Sequence, residues 1–172
     1  MEANDMTVRC GDGVINIRVG AILEQSGKLL MVRAPGGGPL YTVGGRLKFG
    51  ETAEQAVLRE VREELGTELS VGQLLFVHEL YFSGSVPPVK AGRDVYEIGF
   101  YFEMKLPEDF VLPREEFCDG GAFAKLVWTD LADGEPCYPI FLKEEMRKRR
   151  SGKEPSSGVK HFVTDERKSK EK

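Results

Sequence analysis

Glu60, Glu63 and Glu64 stand at i, i+3 and i+4 within the run REVREELG, with Gly44, Gly45 and Glu51 upstream. At about 100° per residue, these three carboxylates share one face of a helix. Like charges so placed repel and weaken the helix. A hard divalent cation reverses that cost. Mg²⁺ takes oxygen ligands, keeps several waters and bridges one or two carboxylates to substrate phosphates. The plain alternative is a solvated acidic face with Arg59 and Arg62 as surface partners, the usual fate of a charge run. Two features favour chemistry over that alternative: the glycine loop ahead of the helix and the arginine at position 59. Gly44 and Gly45 suit a tight turn where backbone must approach a ligand closely.

The helix that must position these groups is marked at both ends. Thr52 and Gln55 have capping-box spacing, so the helix is predicted to begin near Ala53. Gly66 supplies a stop. The residues between are good helix formers. Val57, Leu58, Val61 and Leu65 form the predicted buried stripe, and Ala53 and Ala56 fall on the carboxylate side, leaving room above it.

The whole segment Gly45–Thr67, GGRLKFGETAEQAVLREVREELGT with the preceding glycine, resembles the Nudix box, G-x5-E-x7-R-E-U-x-E-E-x-G-U. Only the last position departs, with Thr67 for an aliphatic residue, and Val43 stands where many relatives have proline. Seven positions demand one residue type each, so a chance match is on the order of 10⁻⁹ per window. The resemblance implies a Mg²⁺ or Mn²⁺ site built from Glu60, Glu63, Glu64 and the Gly44 carbonyl. It also implies that Arg59 orients a catalytic glutamate and that Glu51 holds loop to helix. The reaction implied is hydrolysis of a nucleoside diphosphate linked to another group, with Glu60 as the expected base and Glu63, Glu64 and Glu97 as alternatives. ADP-ribose or a nucleotide sugar is favoured as the small-molecule substrate, because the chain exceeds a minimal triphosphatase of this fold and has extra loops. Nucleoside triphosphates and dinucleoside polyphosphates are the alternatives. An inactive binding module would show damaged box carboxylates, and here all are intact. Relatives are often dimers, which makes a homodimer the expectation.

Outside the box, Glu97 alternates with apolar residues in VYEIGFYF, where a carboxylate is costly unless paired or metal-bound. It is the first candidate for a further acidic ligand or base, with Glu115 and Glu116 next. Arg18 and Arg33 on paired strands, and Lys90 and Arg93 in a loop, are candidate phosphate clamps, Arg18 first because its strand is otherwise apolar. Tyr96 and Trp128 could stack on a base, although core packing is the commoner fate of strand aromatics.

The chain has 172 residues, 41% hydrophobic and 30% charged, with a net charge of −4. This is the profile of one globular domain. Nucleic-acid binding gains no support, and the cluster Arg147–Arg150 reads as cations at a helix C-terminus. No signal peptide or membrane-length apolar run is visible. An odd number of cysteines (Cys10, Cys118, Cys137) without C-x-x-C spacing suggests a reducing, cytoplasmic setting, and a zinc site is not expected because His78 and His161 are the only histidines and neither lies near a cysteine in sequence.

Strands are predicted over 14–23, 29–33, 40–43, 71–82, 95–106, 122–129 and 159–164, with a second helix from Pro139 to Arg150. Loops are predicted at 34–39, 83–94 and 107–121. Residues 1–13 read as an extension, 14–165 as the domain and 166–172 as a disordered charged tail. The expected fold is α/β: a mixed sheet covered by helices on both faces, which is the α/β/α sandwich of the resembling family.

Overall fold

The computed structural model describes residues 4–86, 89–119, 121–152 and 158–167, with backbone alone at 85, 86, 89–91 and 119. In chain order the strands are β1 (Thr7–Cys10), β2 (Gly13–Ile22), β3 (Glu24–Gln25), β4 (Lys28–Arg33) and β5 (Leu40–Thr42) before helix α1 (Ala53–Leu65). There follow β6 (Ser70–Val86), β7 (Val89–Lys105), β8 (Glu116–Asp119), β9 (Ala122–Asp130) and β10 (Cys137–Tyr138), then α2 (Leu142–Arg150) and β11 (Lys160–Asp165).

Two mixed sheets stand where one is expected. The first runs β1-β2-β7-β6-β11, and the second β10-β5-β4-β9-β8 with β3 beside β4. The glycine turn links them: Val19 N–H donates to the Gly45 carbonyl (2.9 Å) and Ala21 N–H to that of Val43 (2.7 Å). Gly44, at φ +139°, interrupts the ladder between those bonds. Alternation then sorts side chains into two cores. Val19, Ala21 and Leu23 meet Val57, Val61 and Leu65 of α1 on one side, whereas Ile22, Leu29 and Met31 meet Leu142 and Met146 of α2 on the other. Each face is therefore covered by a helix. Full burial of Val57, Val61 and Leu65 contributes about 1.5–3 kcal/mol per side chain.

Several expectations are corrected. Residues 7–10 of the N-terminal extension form a strand, paired from Thr7↔Asn16 to Cys10↔Gly13. Much of the loop at 83–94 is strand: Ser83↔Asp94, Gly84↔Arg93 and Val86↔Val89 continue the β6–β7 ladder, and the Ser83 hydroxyl donates to Asp94 (2.8 Å). The loop at 107–121 ends in β8, a hairpin partner of β9. The second helix starts at Leu142 rather than Pro139: Cys137–Tyr138 is held in parallel pairing with Leu40–Tyr41, and a turn follows in which Leu142 N–H donates to the Pro139 carbonyl (3.0 Å). On α1, Ala56 is buried and Leu58 is 38% exposed, the reverse of the predicted stripe. The tail lies within the described residues only as far as Arg167, whose guanidinium sits over the Tyr81 ring. No helix among the described residues is long and apolar enough to cross a membrane.

Helix α1 is fastened at both ends. The Thr52–Gln55 capping box is formed, with Gln55 N–H donating to Thr52 Oγ1 (3.2 Å) and Thr52 N–H to Gln55 Oε1 (2.9 Å). At the other end, Arg114 donates from Nε to the Glu64 carbonyl (2.9 Å) and from Nη2 to the Glu63 carbonyl (2.5 Å). A cation on the last carbonyls satisfies orphan acceptors and complements the helix dipole. Arg114→Ala is expected to destabilise the fold by about 1–2 kcal/mol, with partial recovery in Arg114→Lys. Urea denaturation of the three proteins checks this, and an unchanged midpoint in the alanine variant refutes it.

Candidate functional site

Arg59 is the hub of the acidic segment. Its Nε and Nη2 grip the two Glu51 oxygens at 2.6 and 3.0 Å, and Nη1 donates to Glu60 (2.6 Å) and Glu63 (3.2 Å). Nη2 also donates to the Arg46 carbonyl (3.0 Å), and Glu51 accepts from Lys48 N–H (3.1 Å). The helix is thus tied to the loop that precedes it. Arg59 hydrogen bonding holds the Glu51 carboxyl below its usual range. Burial pushes the Glu60 carboxyl up, Arg59 opposes that shift and the charge of Glu63 adds to it. The carboxylates share a face but not an environment: the Glu60 side chain is 12% exposed, that of Glu63 50%, and Glu64 is buried.

The glycine turn closes over these groups. A Cβ on Gly45 would lie 2.5 Å from Glu60 Oε1, and one on Gly44 would collide with the Val19 carbonyl. Any side chain here displaces either the carboxylate or β2. Gly44 N–H faces Glu64 Oε2 at 3.4 Å. The carbonyls of Val43 and Gly45 accept from β2, whereas that of Gly44 accepts no backbone hydrogen bond among the described residues. The Gly44 carbonyl and the carboxylates of Glu60 and Glu64, which lie against this turn, are oxygen donors of the kind that a hard cation such as Mg²⁺ or Mn²⁺ takes. The carboxylates are not gathered into a ready-made cage: among the described residues no three acidic, His or Cys side chains converge.

A cleft of about 340 Å³ opens between the sheets. Its floor is the face of β2, β7 and β6 that carries Arg18, Glu97, Tyr101 and His78, and its opposite wall includes Tyr41 and Tyr138, whose rings stack 5.7 Å apart. Tyr101 fits because Gly20 and Gly99 lie beneath its ring. Burial pulls His78 down to about 4, so it is neutral near pH 7, and its Nε2 is 2.9 Å from Thr164 Oγ1. Arg18, Tyr41 and Thr42 also line the adjoining hollow that holds Gly44 and Glu64. Arg18 has no ion-pair partner among the described residues.

The structure therefore brings Arg18 and Glu97 to a cleft that adjoins the box, and places other sequence candidates elsewhere. Tyr96 lies on the opposite face of β7, stacked on Tyr81 (4.7 Å) with its hydroxyl donating to Glu79 (2.7 Å). Arg33 is paired with Glu135. Arg93 donates to the Asp12 carbonyl (2.9 Å), and the Lys90 side chain is outside the described residues. Trp128 packs against the α1 core. Glu115 and Glu116 are exposed. In the basic cluster, Lys148 pairs with Glu144 and Glu145, and Arg150 with Glu24. Sequence reasoning missed Asn16, Tyr41, His78 and Tyr138. Asn16 carried a usable signal, since it is a polar residue on the Arg18 face of an apolar strand.

The Glu51–Arg59 clasp makes a pH-dependent contribution. A carboxyl with a lowered folded-state pKa stabilises fully above its ordinary value, 4.5, and loses that effect as pH falls through the lowered one. Glu51→Gln is expected to cost about 2 kcal/mol at pH 7. The gap to wild type should shrink in acid. Denaturant titrations near neutrality and at about pH 3 measure it, and a gap that widens in acid contradicts the clasp.

The NUDIX domain family matches residues 15–148. The CTP pyrophosphohydrolase of Escherichia coli (strain K12) is 38% identical over 72 residues, which cover 40% of this chain and 53% of that protein. The match thus spans about half the length of that curated relative. Among solved structures, that of the E. coli ORF135 protein is 25% identical with a TM-score of 0.52, covering 87% of this chain and 100% of the other. An ADP-ribose pyrophosphatase from Streptococcus suis, 15% identical with a TM-score of 0.53 over 86% of this chain and 98% of its own, shares the fold. On the family match over 15–148, this chain belongs to the NUDIX family.

Proposed function

We propose that the chain is a divalent-cation-dependent hydrolase of the pyrophosphate bond in nucleoside diphosphates joined to a further group. The observation that carries this reading is the continuity of the site. Arg18, Tyr41 and Thr42 line both the deep cleft and the hollow holding Gly44 and Glu64. A nucleotide in the cleft would direct its phosphates past the Arg18 guanidinium toward the box carboxylates. The Gly44 carbonyl, Glu60, Glu63 and Glu64 would hold Mg²⁺ or Mn²⁺. When bound, such a cation neutralises pyrophosphate charge and lowers the pKa of its water. Glu60 is the proposed proton acceptor: its side chain is 12% exposed, desolvation raises its carboxyl, and Arg59 fixes its orientation. Water attacks phosphorus, Glu60 takes its proton, and the bridging P–O bond breaks.

A second reading, nucleoside triphosphates, is favoured by one observation. The relative that is 38% identical over 72 residues is named a CTP pyrophosphohydrolase. The case for ADP-ribose or a nucleotide sugar rested on extra length and loops, and part of that length is strand: β1 and the outer β6–β7 hairpin.

Glu63→Gln and Glu64→Gln are each expected to lower turnover at least about a hundredfold while circular dichroism stays unchanged. Chelation should abolish activity, and added Mg²⁺ or Mn²⁺ should restore it. The measurement is inorganic phosphate after phosphatase treatment of the products, across a panel of nucleoside diphosphate derivatives and triphosphates, followed by product mass. A folded double variant with near-normal turnover, or release indifferent to chelator, overturns the assignment.

A further inference from the structure

The mechanism above leaves two carboxylates of the cleft without a task, Glu97 and Glu166, and of these Glu97 is the one held by a buried side chain. Glu97 sits on the β7 floor, in register with Asn16 of β2 and Leu80 of β6. Its Oε2 accepts from Asn16 Nδ2 (2.6 Å), and Asn16 Oδ1 in turn accepts from the Thr7 hydroxyl (2.7 Å). Asn16 is 1% exposed, so its amide is locked by burial and by both bonds. This chain fixes Glu97 in one orientation. Its other oxygen, Oε1, accepts no hydrogen bond among the described residues, yet Glu97 lines the cleft.

We propose that Glu97 reads the base, selecting nucleotides whose base carries an exocyclic amino group over their keto counterparts. The proposal rests on the hydrolase reading above and deepens it. A carboxylate only accepts hydrogen bonds. The amino groups of cytosine and adenine donate, and Glu accepting from the cytosine amine is an established pairing. Uracil and hypoxanthine place a carbonyl oxygen at the same position. Two acceptors would then face each other, and the free Glu97 oxygen would lose water without gaining a donor. The surroundings sharpen the contrast. Leu80 and Phe82 beside Glu97 offer no donor, and the donors on the same floor, the Arg18 guanidinium and the Tyr101 hydroxyl, lie at Gly99, two residues along β7. The Tyr41–Tyr138 ring pair gives a flat apolar wall suited to a base. Arg18, toward the box, is left for phosphate.

Matched pairs that differ only in amino against keto test this: CTP with UTP, ATP with ITP, and ADP-ribose with its inosine counterpart. Wild-type kcat/KM should favour the amino member of each hydrolysed pair by roughly tenfold to a hundredfold. In Glu97→Gln, whose amide can also donate, that ratio should collapse toward one or invert, with kcat largely kept and KM carrying the change. Thermal denaturation confirms that the variant is folded, and should it fail to fold, the wild-type ratios alone decide. Equal wild-type turnover within every pair overturns the inference and leaves the hydrolase reading intact. A uniform fall in kcat for amino and keto substrates alike also overturns it, assigning Glu97 to the chemical step. Hydrolysis of no nucleotide in the panel removes the hydrolase reading itself.

Discussion

A partly buried guanidinium with more partners than a surface salt bridge requires is the constraint on which this site is built. Arg59 is 13% exposed and binds three carboxylates and one carbonyl. Removing such a group from water is costly unless its donors are satisfied. The planar fork satisfies them in fixed directions, so Glu51, Glu60 and the Arg46 carbonyl have little freedom. The loop before α1 must therefore return to the helix at one place. That return sets Gly44 and Gly45 over the carboxylates. The spacing of the box thus encodes a closed ring of contacts: loop to Glu51, Glu51 to Arg59, Arg59 to Glu60, and Glu60 beneath Gly45.

That ring leaves an electrostatic imbalance. Three acidic side chains (Glu51, Glu60 and Glu63) share a single arginine in direct ion-pair contact. Glu51 takes the bidentate position and its carboxyl is lowered, whereas Glu60, more buried and near Glu63, is raised. One arginine cannot favour ionisation of all of them. Residual negative charge beside an uncommitted carbonyl is the condition under which a hard cation gains most from the protein. The capping box and Arg114 matter for the same reason: they hold a self-repelling helix in place from its two ends, where capping bonds and charge act most strongly on helix stability.

The box was legible in the sequence because its requirements are local. Capping, helical period and the glycine turn all act within about 23 residues, and each leaves a residue type at a fixed offset. What was not legible is set by partners far along the chain. Leu58 and Ala56 exchanged places because β2 and β8 approach α1 from a direction that the helix pattern alone does not specify. The strand pairing of 83–94 was hidden by Ser, Gly and Pro, which read locally as loop, while the ladder is a property of two segments together. Tyr96 and Glu97 are neighbours on a strand, so they point to opposite faces. Which face meets the cleft depends on β2 and β6, not on either residue.

The same long-range logic explains why a short N-terminal strand belongs to the site. β1 adds one antiparallel neighbour to β2, and in doing so sets Thr7 opposite Asn16. Without that hydroxyl, the buried Asn16 carbonyl would lack its acceptor bond, and an amide free to flip could offer Glu97 either a donor or an acceptor. With it, the amide has one orientation and the carboxylate has one free oxygen. Glycines at 20 and 99 act in parallel on the steric side, since only their missing side chains let the Tyr101 ring lie flat in the floor. The cleft and the box that adjoins it are thereby specified by different means. The proposed phosphate end follows from a contiguous motif in α1 and its loop. The proposed base end follows from single residues on β1, β2, β6 and β7 that meet only when the first sheet is complete. No residue of the Thr7–Asn16–Glu97 relay takes part in the Arg59 ring, so each is specified without the other.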